Sequence, residues 1–484
     1  MQAAAIVPEE ERLPLIIING MNESPLLRSD GERAFPPSQD AITQTALRIV
    51  PLLPLMAVGQ DAFARRAYPI LRELFDDIVF EADGTPRHEL GQVRFPDSYA
   101  EDRTGMINSV SHGGLARAYG EDRSYQYVID WRVSAFEEAN GLHEMIERVK
   151  AEHEVDRVNL IAASMGGAVA MAYLARYGHG SVNNLVLMHT VFQGIAVVGD
   201  LFNGRLTLHG ADVERFLAQS MYGDEPMASI VGTLWQVFDH VGVIDGTLGL
   251  AQRLVDAMLP RLTSDFIVPV FGQLPGFWGL VPAGDFESAK ELLLCSPEHS
   301  ALIEMIDDYH HNVMLRAGEI FAAAKADGVN VYVLSGYNFA GPPVGPSANQ
   351  HTDDGLSAVH TSGGATVAPL GQTLGENYRQ AINCGHNHIC PHNMIDASTA
   401  LLPEQTWFQK DLNHIRFFSD DWVAFLLWLL ATDERLTVRS NAAYPQFLHN
   451  DGGRVVPLGG GEYLAEHATV GMPPTGDNAV WAIL

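Results

Sequence analysis

The sequence predicts an α/β protein with a mostly parallel central sheet flanked by helices and a largely helical cap inserted after the strand ending near Met188. Three observations predict it. Short runs rich in β-branched residues alternate with longer helical patterns along most of the chain. These runs are largely apolar, as strands covered on both faces require. One of them, Val158–Ala162, stops at a serine set among small residues and is followed by a small-residue helix.

Six runs read as core strands: Leu15–Ile18, Tyr127–Ile129, Val158–Ala162, Leu185–Met188, Val329–Leu334 and Thr406–Phe408. The core is expected in two parts, residues 1–190 and 329–436. Residues 22–125 insert into the first part, and their Asp83-Gly84-Thr85-Pro86 stretch carries turn chemistry. Residues 191–328 shift to amphipathic helical patterns, such as Val213–Met221 and Leu248–Leu259, broken by proline and glycine. That is where a lid over an active site would attach, and an ordinary helical subdomain is the alternative. Trp422, Phe425, Leu426 and Leu429 fall at i, i+3, i+4 and i+7, one apolar face of a late helix. Residues 437–484, rich in glycine, proline and isolated apolar residues, read as a C-terminal extension.

With 484 residues the chain can bury a large core. Its net charge of -29 repels phosphate backbones and anionic headgroups, which excludes nucleic acid as a partner and favours a neutral ligand. The longest clean apolar run, Trp422–Ala431, is far short of the roughly 18 residues of a membrane helix. Residues Met1–Arg12 carry glutamates where a secretory signal carries positive charge. Cys295, Cys384 and Cys390 are too few for a disulfide framework, so a reducing, cytoplasmic location is expected.

Ser164, in Ala162-Ala163-Ser164-Met165-Gly166-Gly167, has the layout of a nucleophile elbow, with Ala162 where G-x-S-x-G has its first glycine. A tight strand-to-helix turn lifts the hydroxyl above the sheet, where a histidine can take its proton. The partners are expected in the order serine, acid, histidine. Asp354, in His351-Thr352-Asp353-Asp354-Gly355-Leu356, follows the fifth strand and is the expected acid, with Asp353 the alternative. A turn or helix cap is the plainer reading of both. His414 follows the sixth strand and precedes the late helix. The oxyanion hole is expected from the amides of Met165 and Met21, with Gly20 and Asn22 lining the substrate side of the loop.

These residues together resemble the family of lecithin:cholesterol acyltransferase and lysosomal phospholipase A2, within the α/β-hydrolase fold. The likeness also rests on Pro14–Gly20, Asp130-Trp131-Arg132, Phe192-Gln193-Gly194, Leu274-Pro275 through Val281-Pro282 and Gly328–Gly336, and spans most of residues 13–432. It implies a Ser164–Asp354–His414 triad acting on acyl esters without a cofactor, as an esterase, lipase, phospholipase or acyltransferase. The chain has Asp353-Asp354-Gly355-Leu356-Ser357 where that family has G-D-G-T-V, and Asp130–Arg132 is expected to brace a strand end by an ion pair. A lipid or small-molecule ester is thus the expected partner, and a non-catalytic carrier on the same scaffold is the competing class.

One cluster stands outside that template. Cys384, His386, His388, Cys390 and His392 place five metal-capable side chains in nine residues. Zinc is one reading; a Cys384–Cys390 disulfide, a polar loop or an alternative catalytic histidine are the others, and no metal is the expectation.

Overall fold

The computed structural model describes residues 6–21, 23–57, 59–92, 95, 97–101, 110–206, 261–341, 344–347, 350–351, 356–412, 414, 419–432 and 434–459. Its centre is an eight-stranded sheet. In chain order the strands are β1 (Leu15–Ile18), β2 (Ser124–Tyr127), β3 (Val158–Ala163), β4 (Val182–Met188), β5 (Asn330–Tyr337), β6 (Thr406–Lys410), β7 (Phe447–Asp451) and β8 (Arg454–Pro457). Their order across the sheet is β8-β7-β6-β5-β4-β3-β1-β2. Every neighbouring pair is parallel except β7–β8, which is an antiparallel hairpin.

Alternation along each strand divides the core into two layers. Ile16, Ile18, Leu160, Ala162, Leu185, Leu187, Val331 and Val333 face one cluster; Leu15, Ile17, Ile161, Ala163, Val186, Met188, Tyr332 and Leu334 face the other. Among the described residues, the helices that cover these faces include α1 (Val110–Tyr119), α2 (Ala135–Glu152), α3 (Gly166–Tyr177), α4 (Ala317–Ala326) and α5 (Asp420–Leu430). Helices α2, α3 and α4 join the first cluster, α1 and α5 the second. Helix α2 starts where Ser134 accepts from Phe136 N at 3.3 Å, and it buries Ala139, Leu142, Ile146 and Val149 along one stripe. Ser419 caps α5 by accepting from Trp422 N, and the expected face of Trp422, Phe425, Leu426 and Leu429 is buried against Trp407. Each such fully buried side chain contributes about 1.5–3 kcal/mol.

All six expected strands are present, the second displaced. Ser124–Tyr127 pairs with Leu15–Ile18, and the chain leaves the sheet after Tyr127, where Tyr127 O accepts from Asn19 N. Its start is hidden in the sequence because Ser124 and Gln126 are polar yet buried. Strands β7 and β8 were not expected. They come from the glycine- and proline-rich segment after residue 437 and join the sheet beside β6.

Between Met188 and Asn330 every described element is helical, from Ala196–Phe202 through Thr263–Gly272 and Ala283–Leu293 to α4. The helices expected at Val213–Met221 and Leu248–Leu259 lie outside the described residues. The Asp83–Pro86 stretch is a turn: Gly84 has φ 83° and Asp83 Oδ1 accepts from Thr85 N at 3.0 Å. No helix among the described residues is long and apolar enough to cross a membrane.

Candidate active site

Parallel pairing brings the C-terminal strand ends to one edge of the sheet. Ile18 is level with Ala162 and Tyr127, Ala163 with Met188, Met188 with Leu334, and Lys410 with Tyr337. The residues just past these ends, Asn19, Ser164, His189 and His414, gather at that edge, the usual place for a site in a parallel α/β sheet.

Ser164 has φ 49°, a left-handed conformation that costs a non-glycine residue roughly 1–2 kcal/mol. Its backbone is held there on both sides. Its N–H donates to Met188 O at 3.1 Å, and its carbonyl accepts from Gly167 N at 3.1 Å and Val191 N at 3.2 Å. The turn closes only because its neighbours are small: a Cβ on Gly166 would lie 2.7 Å from the carbonyl oxygens of Ile18 and Asn19, and one on Gly167 2.4 Å from Thr190 Cβ. Ala162 lies wholly inside β3, level with Ile18 and Leu187, where its methyl group joins the core. Alanine at that position is thus compatible with the elbow.

His414 is buried, with Nε2 2.9 Å from Ser164 Oγ. The structure therefore joins two residues 250 positions apart in the chain, in the order expected. Asp353, Asp354 and Asn22 lie outside the described residues. Met165 opens α3, where the first amides have no acceptor inside the helix and the helix dipole is positive. Met21 is buried in the loop after β1, which Asn19 shapes by donating from its side chain to Glu23 O at 2.8 Å. Ser24 N closes the same turn on Met21 O at 3.2 Å.

Two further residues shape this edge without a signal in the sequence. His189, fully buried at φ 50°, packs edge-on against the His414 ring, with centroids 6.0 Å apart. Gly336 N donates to its Nδ1 at 3.2 Å, which places the proton of the neutral ring on Nε2. Asp411 stands three residues before His414 at φ 58° and contacts His449, Lys410 and Asn338. Burial raises its pKa, but the His449 hydrogen bond, the Lys410 charge and the Asn338 amide outweigh burial and bring it down to about 2.

The Asp130–Arg132 pair forms as expected at the end of β2: both are buried, and the guanidinium grips the carboxylate through two bonds of 3.0 and 2.8 Å. The Cys/His cluster divides. Cys384, His386 and His388 converge with Glu404. Cys390 instead sits beside Tyr337 Oη at 3.4 Å, and His392 Nε2 meets Gly459 O at 3.0 Å. All three cysteines are free thiols, so the Cys384–Cys390 disulfide does not form.

Residues 126–220 match the family model described as alpha/beta hydrolase fold. Together with the mostly parallel eight-stranded sheet and its helical layers, this defines the α/β-hydrolase fold, a scaffold typical of hydrolytic enzymes. No curated protein matches the chain. Among solved structures, one described as the crystal structure of a Tle4–Tli4 complex aligns over 67% of this chain and 75% of its own, at 14% identity and a TM-score of 0.26. A likeness that low carries no argument.

Proposed function

We propose that the protein is a serine carboxylic-ester hydrolase that cleaves a lipid or small-molecule acyl ester through an acyl-enzyme on Ser164. The observation that carries this reading is the 2.9 Å contact between Ser164 Oγ and His414 Nε2 on a serine held at positive φ. In the first half-reaction, Ser164 Oγ attacks the ester carbonyl as its proton passes to His414 Nε2. The amides of Met21 and Met165 take the negative charge of the tetrahedral intermediate, with Gly20 and Asn22 forming the adjoining wall. Collapse expels the alcohol, which leaves with the proton from the imidazolium. Water then repeats the sequence, and the acid and free serine are released. Asp354 orients the imidazole in this scheme.

The resemblance to the lecithin:cholesterol acyltransferase and lysosomal phospholipase A2 family supports acyl esters as the substrate class and allows an alcohol to replace water. The negative surface supports a neutral ester over an acidic lipid, and no cofactor is required.

The test is hydrolysis of p-nitrophenyl esters from short to long acyl chains by the protein and by Ser164→Ala. Turnover that vanishes in the variant supports the reading, and the preferred chain length separates a small-ester esterase from a lipase. Turnover that survives the substitution, or ester binding with no turnover in the parent protein, overturns it; the second result identifies a carrier.

A further inference from the structure

Away from Ser164, three residues of one loop meet a carboxylate from the segment leading into β6. The donor atoms of Cys384, His386, His388 and Glu404 all lie within 4.8 Å of one another. Glu404 directs its two oxygens differently. Oε2 pairs with Arg439 at 2.5 Å, whereas Oε1 lies 3.4 Å from His386 Nδ1 and 3.3 Å from His388 Nε2.

The hydrogen-bond chemistry around His388 shows what this arrangement lacks. Gln446 donates its amide NH2 to two carbonyls, Pro403 O at 2.7 Å and Thr406 O at 3.1 Å, which fixes its orientation. Its Oε1 must then be the group 2.6 Å from His388 Nδ1, so Nδ1 is the donor. With Nδ1 engaged by Gln446, the ring turns Nε2 toward Glu404 Oε1, 3.3 Å away. Nε2 makes no hydrogen bond among the described residues, and the His388 side chain is 1% exposed. A buried imidazole nitrogen facing a partly exposed carboxylate, with an imidazole and a thiol alongside, is an arrangement that a cation between them would satisfy.

The loop is also built in advance. Gln380 accepts from His388 N at 2.7 Å and donates to Ile382 O and His386 O, while Ala397 N donates to His388 O at 2.9 Å. The Cys384 thiol joins this network, donating to His386 O at 3.8 Å and accepting from Gln380 Nε2 at 4.0 Å, so the loop is held in shape around the three side chains. A thiol, two imidazoles and a carboxylate in a four-donor set match tetrahedral zinc, and a neighbour accepting from the remote imidazole nitrogen is the usual support of a metal-binding histidine.

We propose that Cys384, His386, His388 and Glu404 form a structural Zn2+ site that ties the 380–389 loop to the start of β6. On binding, Cys384 loses its thiol proton to solvent, and Sγ, His386 Nδ1, His388 Nε2 and Glu404 Oε1 each donate one electron pair to the ion. Four protein ligands close the coordination sphere, so the ion holds the fold and leaves ester chemistry to Ser164.

The experiment measures zinc in the purified, tag-free full chain by elemental analysis. It then titrates Zn2+ and Co2+ into chelator-stripped protein under reducing conditions. Expected are about one zinc per chain, tetrahedral d–d bands with a thiolate-to-cobalt charge-transfer band, and a thermal midpoint that falls on stripping and recovers with Zn2+. Cys384→Ser should abolish the charge-transfer band, and Cys384→Ser and His386→Ala, at exposed positions that do not threaten folding, should each weaken Zn2+ binding by more than about 100-fold. Gln446→Leu should weaken it by about 10–100-fold. Cys390→Ser should retain stoichiometric zinc. Absence of Zn2+ and Co2+ binding by stripped protein overturns the proposal. Stoichiometric, undiminished binding in Cys384→Ser/His386→Ala overturns it equally.

Discussion

A β-carbon on Gly20 would sit 2.8 Å from Ser164 Cβ and 3.5 Å from its Oγ. The loop after β1 therefore lies against the serine with no space for one more methyl group. Gly20→Ala must push the loop or the elbow aside, and displacement of a reacting group by about 1 Å costs about 100-fold in rate. The expected outcome is a loss of that size in kcat for p-nitrophenyl ester hydrolysis. An unchanged circular dichroism spectrum would locate the effect at the site.

In the proposed mechanism His414, 2.9 Å from Ser164 Oγ, accepts the serine proton, so His414→Gln would remove the base while keeping a polar side chain near Oγ. Ester turnover should fall by roughly 100- to 10,000-fold. Labelling by a fluorophosphonate probe, which also needs an activated hydroxyl, should slow in parallel. Equal labelling rates in the variant and the parent would argue against this role.

The Asp130–Arg132 pair makes a stability prediction independent of chemistry. Removing one member of a buried, bidentate pair strands the other charge, at a cost of about 3–5 kcal/mol. Asp130→Ala should therefore unfold at markedly lower urea concentration. Asp130→Leu/Arg132→Met, which buries no unpaired charge, should lose much less.

His310 makes stability depend on pH. It is buried and stacks on Phe286 at a centroid distance of 3.7 Å. Burial first, and the neighbouring His311 second, lower its pKa to about 4. The folded ring stays neutral where the unfolded one, titrating near 6.5, takes up a proton. Its contribution is complete above about pH 6.5 and is lost as pH falls toward 4, by at most about 1.4 kcal/mol per pH unit. Urea unfolding across this window should show a shallower loss for His310→Leu than for the parent protein.

Much of the fold was readable because its central strands are apolar on both faces, which makes Leu15–Ile18 and Val158–Ala163 unmistakable runs. The meeting of Ser164 with His414 was readable from local context and chain order. The remainder depends on contacts that no window of sequence contains. Strand β7 reads Phe-Leu-His-Asn-Asp and is buried only at its first two residues, so its pattern resembles a loop. Asn159 Oδ1 accepts from Asn184 N, Asn184 Oδ1 from Asn330 Nδ2 and Asn330 Oδ1 from Arg435 Nε, a buried chain across β3, β4 and β5 whose members each look alone like surface amides. Glu404 was missed beside His388 because the chain passes through Ile395–Asp396 before it returns.

The C-terminal hairpin has a consequence for solubility. β6 carries Trp407 and Phe408, and its outer side is paired with β7; among the described residues the hairpin then ends the sheet in a short strand bearing Arg454 and Pro457. Val455 N is anchored to Asp421 at the start of α5, and Phe447 stacks on Phe408 at 5.7 Å. Without this border, β6 would offer an open row of N–H and C=O groups beside aromatic side chains, a template for pairing with another chain. A version shortened before Phe447 should keep Ser164 and His414 yet self-associate more than the full chain, a difference that sedimentation velocity reads.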